Sequence, residues 1–230
     1  MELQVLKTQI IKDLINQNKM NSLTMNVKDV DKLFFTSDLH INHFNIAKIC
    51  NRPYTTCSEM NESLIENWNK VVPPDGLVIN CGDLMLLKEE NMKEYNNICN
   101  KLHGMQILVR GNHDRIPVFE AKVFETNHLV MTCDILELKI VNDEGLPLST
   151  IIACHYPMLT FPHKINKDVF QIYGHVHTLK DGTISGYDKD IIPALRYNQY
   201  DVGVDQNNYT PVSYIQLMSI FKERHITNIQ

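Results

Sequence analysis

Carboxylates and imidazoles recur in five short pieces of the chain: Asp38-Leu39-His40, Gly82-Asp83, Gly111-Asn112-His113-Asp114, a lone His155, and Gly174-His175-Val176-His177. Each follows a run of apolar residues by a few positions, where a predicted strand gives way to a loop. Aspartate, histidine and asparagine together offer a mixed N/O ligand set suited to borderline and hard cations such as manganese, iron or zinc. No cysteine belongs to the set, so a structural zinc-thiolate site is a poor match. Taken singly the pieces are weak. Asp83 after Gly82 and Asn112 after Gly111 read as turn residues, and His155 before Tyr156-Pro157 reads as a surface or core histidine. Together and in order, they form a ligand set for two metal ions.

The elements that must position them are legible as apolar runs. Leu33-Phe34-Phe35-Thr36, Leu77-Val78-Ile79, Gln106-Ile107-Leu108-Val109, Thr150-Ile151-Ile152-Ala153 and Phe170-Gln171-Ile172-Tyr173 have the character of strands buried on both faces. Ligands of open α/β sheets gather beyond the carboxyl ends of the strands, so Asp38, Asp83, Asn112 and His155 should emerge at one edge. Met60, Leu64, Ile65, Trp68, Val71 and Val72 recur at helical spacing, with Thr56 and Glu59 as a capping box and Pro73-Pro74-Asp75-Gly76 as the stop. A second helix is expected from Glu89 to Leu102, aligning Met92, Tyr95, Cys99 and Leu102. Met131 to Val141 and Leu148 to Ala153 flank Asn142-Asp143-Glu144-Gly145, a hairpin signal that makes the sheet mixed and the fold α/β. Leu6, Ile10, Ile11, Leu14 and Ile15 suit an amphipathic helix, separated from the first motif by polar Asn16 to Asn26. Docking on the core, homodimerisation and simple extension are all open for it.

At 230 residues and 43% hydrophobic, the chain supports one well-filled core rather than two full domains. A formal net charge of -5 argues against a surface that neutralises a long nucleic-acid backbone. A small anionic substrate stays open, because bound cations supply positive charge that residue counting misses. The six cysteines lack CxxC spacing and read as reduced core thiols. There is no signal-type apolar core at the start and no window near the roughly 18 apolar residues of a membrane span. The expectation is a soluble cytoplasmic protein with no membrane partner.

The five pieces resemble the calcineurin-like metallophosphoesterase family, whose pattern runs D-x-H, G-D, G-N-H-[DE], H, G-H-x-H; the match extends from Asp38 to His177. The resemblance implies an αββα sandwich of mixed β-sheets flanked by helices, with a catalytic domain at 28–230 and a helical extension at 1–27. It implies that Asp38, His40 and His177 hold one metal, that Asn112, His155 and His175 hold the other, and that Asp83 bridges them. His113 would stand over the substrate phosphate and stabilise charge or protonate the leaving oxygen, with Asp114 orienting its imidazole. The metals would lower the pKa of a bridging water, giving a hydroxide for in-line attack on phosphomono- or phosphodiesters, nucleotide-like ones first. A cyclic-nucleotide or RNA-end phosphodiesterase of phage or bacterial setting is one alternative, and a low-turnover binding or scaffold protein on the same fold is another.

Asp38-Leu39-His40-Ile41-Asn42-His43-Phe44-Asn45 further resembles the D-x-H-x-x-H-x-N stretch of a small bacterial and phage-type branch. His43 then faces substrate, braces a metal ligand or caps the following helix. Arg52, in a loop before Pro53, grips a phosphate oxygen or stays solvated. Arg110 pairs with a core carboxylate or approaches substrate. Tyr156 lines the pocket or simply packs. Tyr200-Asp201-Val202-Gly203-Val204-Asp205 reads as a closing strand with acidic turn residues, neither of them a ligand. The short interval from His155 to His175 leaves no room for a cap, so the site should be open and shallow.

Overall fold

Inward and outward apolar residues alternate along the strands and divide them between two mixed five-stranded sheets. The computed structural model describes residues 21–86, 92–114, 129–185 and 196–227. In chain order these form β1 (Asn21–Asn26), a 3₁₀ turn (Val27–Lys32), β2 (Leu33–Thr36), α1 (Asn45–Ile49), α2 (Cys57–Val71), β3 (Leu77–Asn80), α3 (Met92–Cys99), β4 (Met105–Val109) and β5 (Leu129–Cys133). β6 (Ile135–Val141), β7 (Pro147–Cys154), β8 (Val169–Tyr173), β9 (Gln199–Asp201), β10 (Val212–Ser213) and α4 (Tyr214–Thr227) follow. The first sheet has the order β10-β2-β3-β4-β5 and the second β1-β6-β7-β8-β9. β2 to β5 run parallel with β10 antiparallel at their edge, while the β6–β7 hairpin is the antiparallel pair of the second sheet.

One residue in two points into the space between the sheets. Leu33, Phe35, Leu77, Ile79, Ile107 and Val109 of the first sheet meet Leu136, Leu138, Ile140, Ile151, Ala153 and Ile172 of the second. Their neighbours Phe34, Val78 and Leu108 face outward, against Met60, Leu64 and Trp68 of α2 and Ile98 and Cys99 of α3. Both faces of the parallel strands are therefore buried, which is why the runs read as uninterrupted apolar segments. Leu64 is 1% exposed, so truncation to alanine should cost about 2–5 kcal/mol. The predicted start of α2 is present: Thr56 Oγ1 accepts from Glu59 N–H at 3.2 Å, while the Glu59 carboxylate turns back to Thr55 N–H at 2.8 Å. Val72 ends the helix before the proline pair.

Two expectations change. Residues 21–26 belong to β1, paired parallel with β6, and not to a helical extension; Leu23 and Met25 face the core while Thr24 is exposed, a period of two. The remainder of that extension, with its amphipathic pattern, lies outside the described residues, as does the start of the second predicted helix. Met131 to Val141 is also not one strand. It breaks at Asp134, where the chain leaves the first sheet as β5 and enters the second as β6, as sandwiches do at their corners. Among the described residues no helix is long and apolar enough to cross a membrane.

Candidate metal centre

Strand ends from both sheets converge on one edge. β2 leads into Asp38 and His40, β3 into Asp83 and β4 into Asn112, His113 and Asp114; β7 leads into His155, β8 into His175 and His177, and β9 into Asp205. The sheets are joined there, with Ser37 bridged to Gly203 and Val204 N–H donating to Ser37 O at 3.1 Å. Asp38 N–H donates to Gly82 O and His40 N–H to Asp83 O, both at 2.9 Å. Of the ten non-glycine residues with positive φ among those described, five are Asp38, His40, Asp83, His175 and His177. Such backbone is unfavourable and persists only where the surroundings over-determine it. The motif glycines have a steric cause: a Cβ on Gly111 would fall on Asp83 Oδ1, and one on Gly174 on Ser37 Oγ and Asp38 Oδ2.

Asp83 stands in the middle. Its Oδ1 accepts from His113 N–H at 2.8 Å, and its Oδ2 lies 3.4 Å from His40 Nε2 and 3.6 Å from His155 Nε2. Asp38 Oδ1 lies 3.7 Å from His40 Nε2 and 3.9 Å from His177 Nε2. On the other side, Asn112 Oδ1 is 2.9 Å from His155 Nε2 and 3.0 Å from His175 Nδ1. One ligand atom from each of Asp38, His40 and His177 falls within a mutual 4.8 Å, and so does one from each of Asp38, Asp83 and His155. Ligands about 2.1 Å from a common cation sit roughly 3–3.5 Å apart, so small side-chain movements would close either group on an ion.

The donor chemistry fits cations. His155 Nδ1 is 2.8 Å from Cys81 O, His177 Nδ1 is 2.8 Å from Asp205 Oδ2, and His40 Nδ1 is 3.2 Å from His43 Nδ1. Each ring thus has Nδ1 engaged from behind and Nε2 turned into the cluster towards Asp38 or Asp83, that of His155 also meeting Asn112 Oδ1, the pattern of metal-bound histidine. His40 Nε2 is buried without a hydrogen-bond partner. Electrostatics agree: burial, then the charges of Asp38 and Asp114, pushes Asp83 up to about 8. Burial also pushes Asp38 up, but His177 and His40 outweigh it and hold that carboxyl below its usual range. Burial takes His40 down to about 3, leaving it neutral. Burial disfavours the charged form of His177, yet Asp38 and Asp205 raise it well above its usual value. A buried carboxyl that keeps its proton near neutral pH is short of positive charge, which a divalent cation supplies.

Other predicted residues fall into place differently. The Asp114 carboxylate accepts from Asp83 N–H at 2.7 Å, Gly111 N–H at 2.8 Å and Leu84 N–H at 3.1 Å, so it staples two site loops together. The His113 ring packs 5.1 Å from that of His40 and 5.0 Å from that of His43. His43 braces His40 and does not cap α1, whose cap position is Phe44. Arg52 is neither solvated nor at the substrate face: it is 5% exposed and bound to Asp205 and to the Asp38 and Leu39 carbonyls, because the loop before Pro53 folds beneath the site. Arg110 pairs with exposed Asp134 rather than a core carboxylate. Tyr156 lies edge-on to His155 and His175, 4.9 and 4.7 Å between centroids, with its ring on the open side. Asp205, read as a turn residue, is buried beside His177. The usable signal was a carboxylate closing an otherwise buried Val202-Gly203-Val204 run, where a charge needs a partner.

Fold and site together define an α/β sandwich carrying a candidate two-cation centre at the carboxyl edge of both sheets. The chain is 30% identical over 192 residues to uncharacterized protein MJ1445 of Methanocaldococcus jannaschii, covering 84% of this chain and 92% of that protein, and it belongs to the same family. No family model matches it. The protein of unknown function AQ665 from Aquifex aeolicus shares the fold, with a TM-score of 0.57 at 22% identity over 82% of this chain and 98% of that one.

Proposed function

We propose that the protein is a dinuclear metal-dependent phosphoesterase of the calcineurin-like kind, acting on small, nucleotide-like phosphomono- or phosphodiesters in the cytoplasm. The observation that carries this reading is that His40, His155 and His177 are each held at Nδ1 and turn Nε2 towards Asp38 or Asp83, with Asn112 Oδ1 also at His155 Nε2. Bound divalent cations supply Lewis acidity there, activating water and neutralising phosphoryl oxygens. Asp38, His40 and His177 would hold one cation and Asn112, His155 and His175 the other, with Asp83 between the two groups and its Oδ1 fixed by the His113 amide. The half-buried His113 ring, beside His40 and His43, donates a proton to the leaving oxygen. Tyr156 lines the open side, which suits small or terminal phosphates. Buried cysteine thiols without disulfides support a reducing compartment.

With manganese added, the purified chain should hydrolyse p-nitrophenyl phosphate or bis-p-nitrophenyl phosphate. His113→Ala should slow turnover by roughly 100-fold or more with metal content unchanged. No turnover of either ester by the metal-loaded chain supports the binding or scaffold alternative. Loss of metal in His113→Ala would make that residue a ligand.

A further inference from the structure

Beneath the deep side of the centre, Arg52 and Asp205 form a buried pair, 5% and 3% exposed. Arg52 Nε donates to Asp205 Oδ1 at 2.8 Å and Nη2 to Asp205 Oδ2 at 3.0 Å. The same guanidinium donates from Nη1 to Leu39 O at 2.8 Å and from Nη2 to Asp38 O at 2.7 Å. One rigid, always-charged fork thus ties the carboxylate of the last motif to the turn that presents Asp38 and His40. Asp205 Oδ2 then meets His177 Nδ1 at 2.8 Å.

We propose that Asp205, clamped by Arg52, is the positioning residue that fixes the tautomer and orientation of His177 for the deep cation. The assignment rests on the two-metal reading above. Ionised Asp205 has only acceptors, so His177 Nδ1 must be the donor in this bond. A neutral imidazole protonated at Nδ1 keeps its lone pair on Nε2, the atom 3.9 Å from Asp38 Oδ1. His155 obtains the same constraint from the Cys81 carbonyl, and His40 from His43. Of these three, His177 alone has a carboxylate at its Nδ1, and that carboxylate has its own cation. A buried ion pair is weak evidence for stability, since apolar replacements are often neutral; holding a ligand gives this one a function.

A third cation at Cys50, His177 and Asp205 is the competing use of these groups, whose ligand atoms also lie within 4.8 Å of one another. Arg52 argues against it, because the guanidinium engages both Asp205 oxygens.

Asparagine at 205 separates positioning from packing. Arg52 donates to both Asp205 oxygens, so an asparagine sets its NH₂ against an Arg52 donor in either placement and removes the charge that holds the His177 Nδ1 proton; with NH₂ at the Oδ2 position it also faces Nδ1. Nδ1 would then have to accept, the proton would move to Nε2, and the lone pair for the metal would be lost. Zinc binding to the wild-type chain and to Asp205→Asn should therefore differ: one of two equivalents weakens by roughly 10- to 100-fold while the other keeps its affinity, even though the metal-free melting temperature also falls because Arg52 loses its buried counter-charge. Nitrogen-15 NMR of the zinc-loaded wild-type chain should show His177 protonated at Nδ1, a readout independent of whether any variant folds. A proton on Nε2 in that spectrum, or wild-type zinc affinity in Asp205→Asn, overturns the assignment. A wild-type chain that takes up no zinc overturns the two-metal reading, and this assignment with it.

Discussion

Asp38, His40 and His177 are sealed inside, at 0%, 1% and 7% exposure, whereas across Asp83 the side chain of Asn112 is exposed and that of Tyr156 is 46% exposed. The deep half is braced from behind by His43, Asp205 and Arg52. The open half shares His155 with the interior but is completed by Asn112 and His175, whose polar atoms contact each other at 3.0 Å. Similar donors thus stand in unlike settings. A preorganised, desolvated half should bind its cation tightly and keep it; a half completed at the surface should exchange its cation and lie nearer the substrate. The open, shallow site expected from the sequence therefore describes one half of the centre only.

The largest effect should come from removing a deep ligand. His40→Ala should lose the tight cation and reduce turnover by about a thousand-fold, roughly 4 kcal/mol of transition-state stabilisation. Asn112→Ala should retain one cation after dialysis and lose activity by about 10- to 100-fold. Metal analysis of both variants decides between the halves, and equal loss in the two would break the comparison.

The next effect is on pH. In the metal-free chain Asp83 titrates near 8 instead of 3.8, and His177 is raised above its usual 6.5. Between about pH 6.5 and 8 the folded state then holds more protons than the unfolded one, and stability falls as pH rises. The lowered His40 has the opposite sign, but its window lies between about 3 and 6.5. Melting temperatures of the metal-free chain should decline across pH 6.5 to 8, and metal binding at pH 7 should release protons, measurable by calorimetry in buffers of different ionisation enthalpy. A metal-free melting temperature that rises over that interval would contradict the assignment of a protonated Asp83. The smallest effect is expected at the rim: Tyr156→Ala should raise KM by no more than about tenfold, the scale of one aromatic contact, with both cations retained.

How far the sequence carried depends on the kind of signal. Five of the six inner strands, β2, β3, β4, β7 and β8, were legible because burial leaves nearly unbroken apolar runs, and the ligands because each follows such a run. β1 was missed because Leu23 and Met25 are only two apolar residues in a polar stretch, a pattern that pairing with β6 completes. The break at Asp134 was hidden because strand propensity continues through a corner. Arg52 and Asp205 are 153 positions apart in the chain, so nothing local announces that each is the other's partner. Asp114 kept its place in the motif, but its contacts with Gly111, Asp83 and Leu84 come from the packing of two loops that periodicity does not reach.

The proposed bridging role of Asp83 is the central claim, and calorimetric titration of the metal-free chain with manganese tests it most directly, wild type beside Asp83→Asn. The wild-type chain should bind two equivalents, one tight and one weak, and the variant should lose the weak equivalent and bind the tight one less well. One equivalent or none in the wild type, or an unchanged pair in Asp83→Asn, would contradict it.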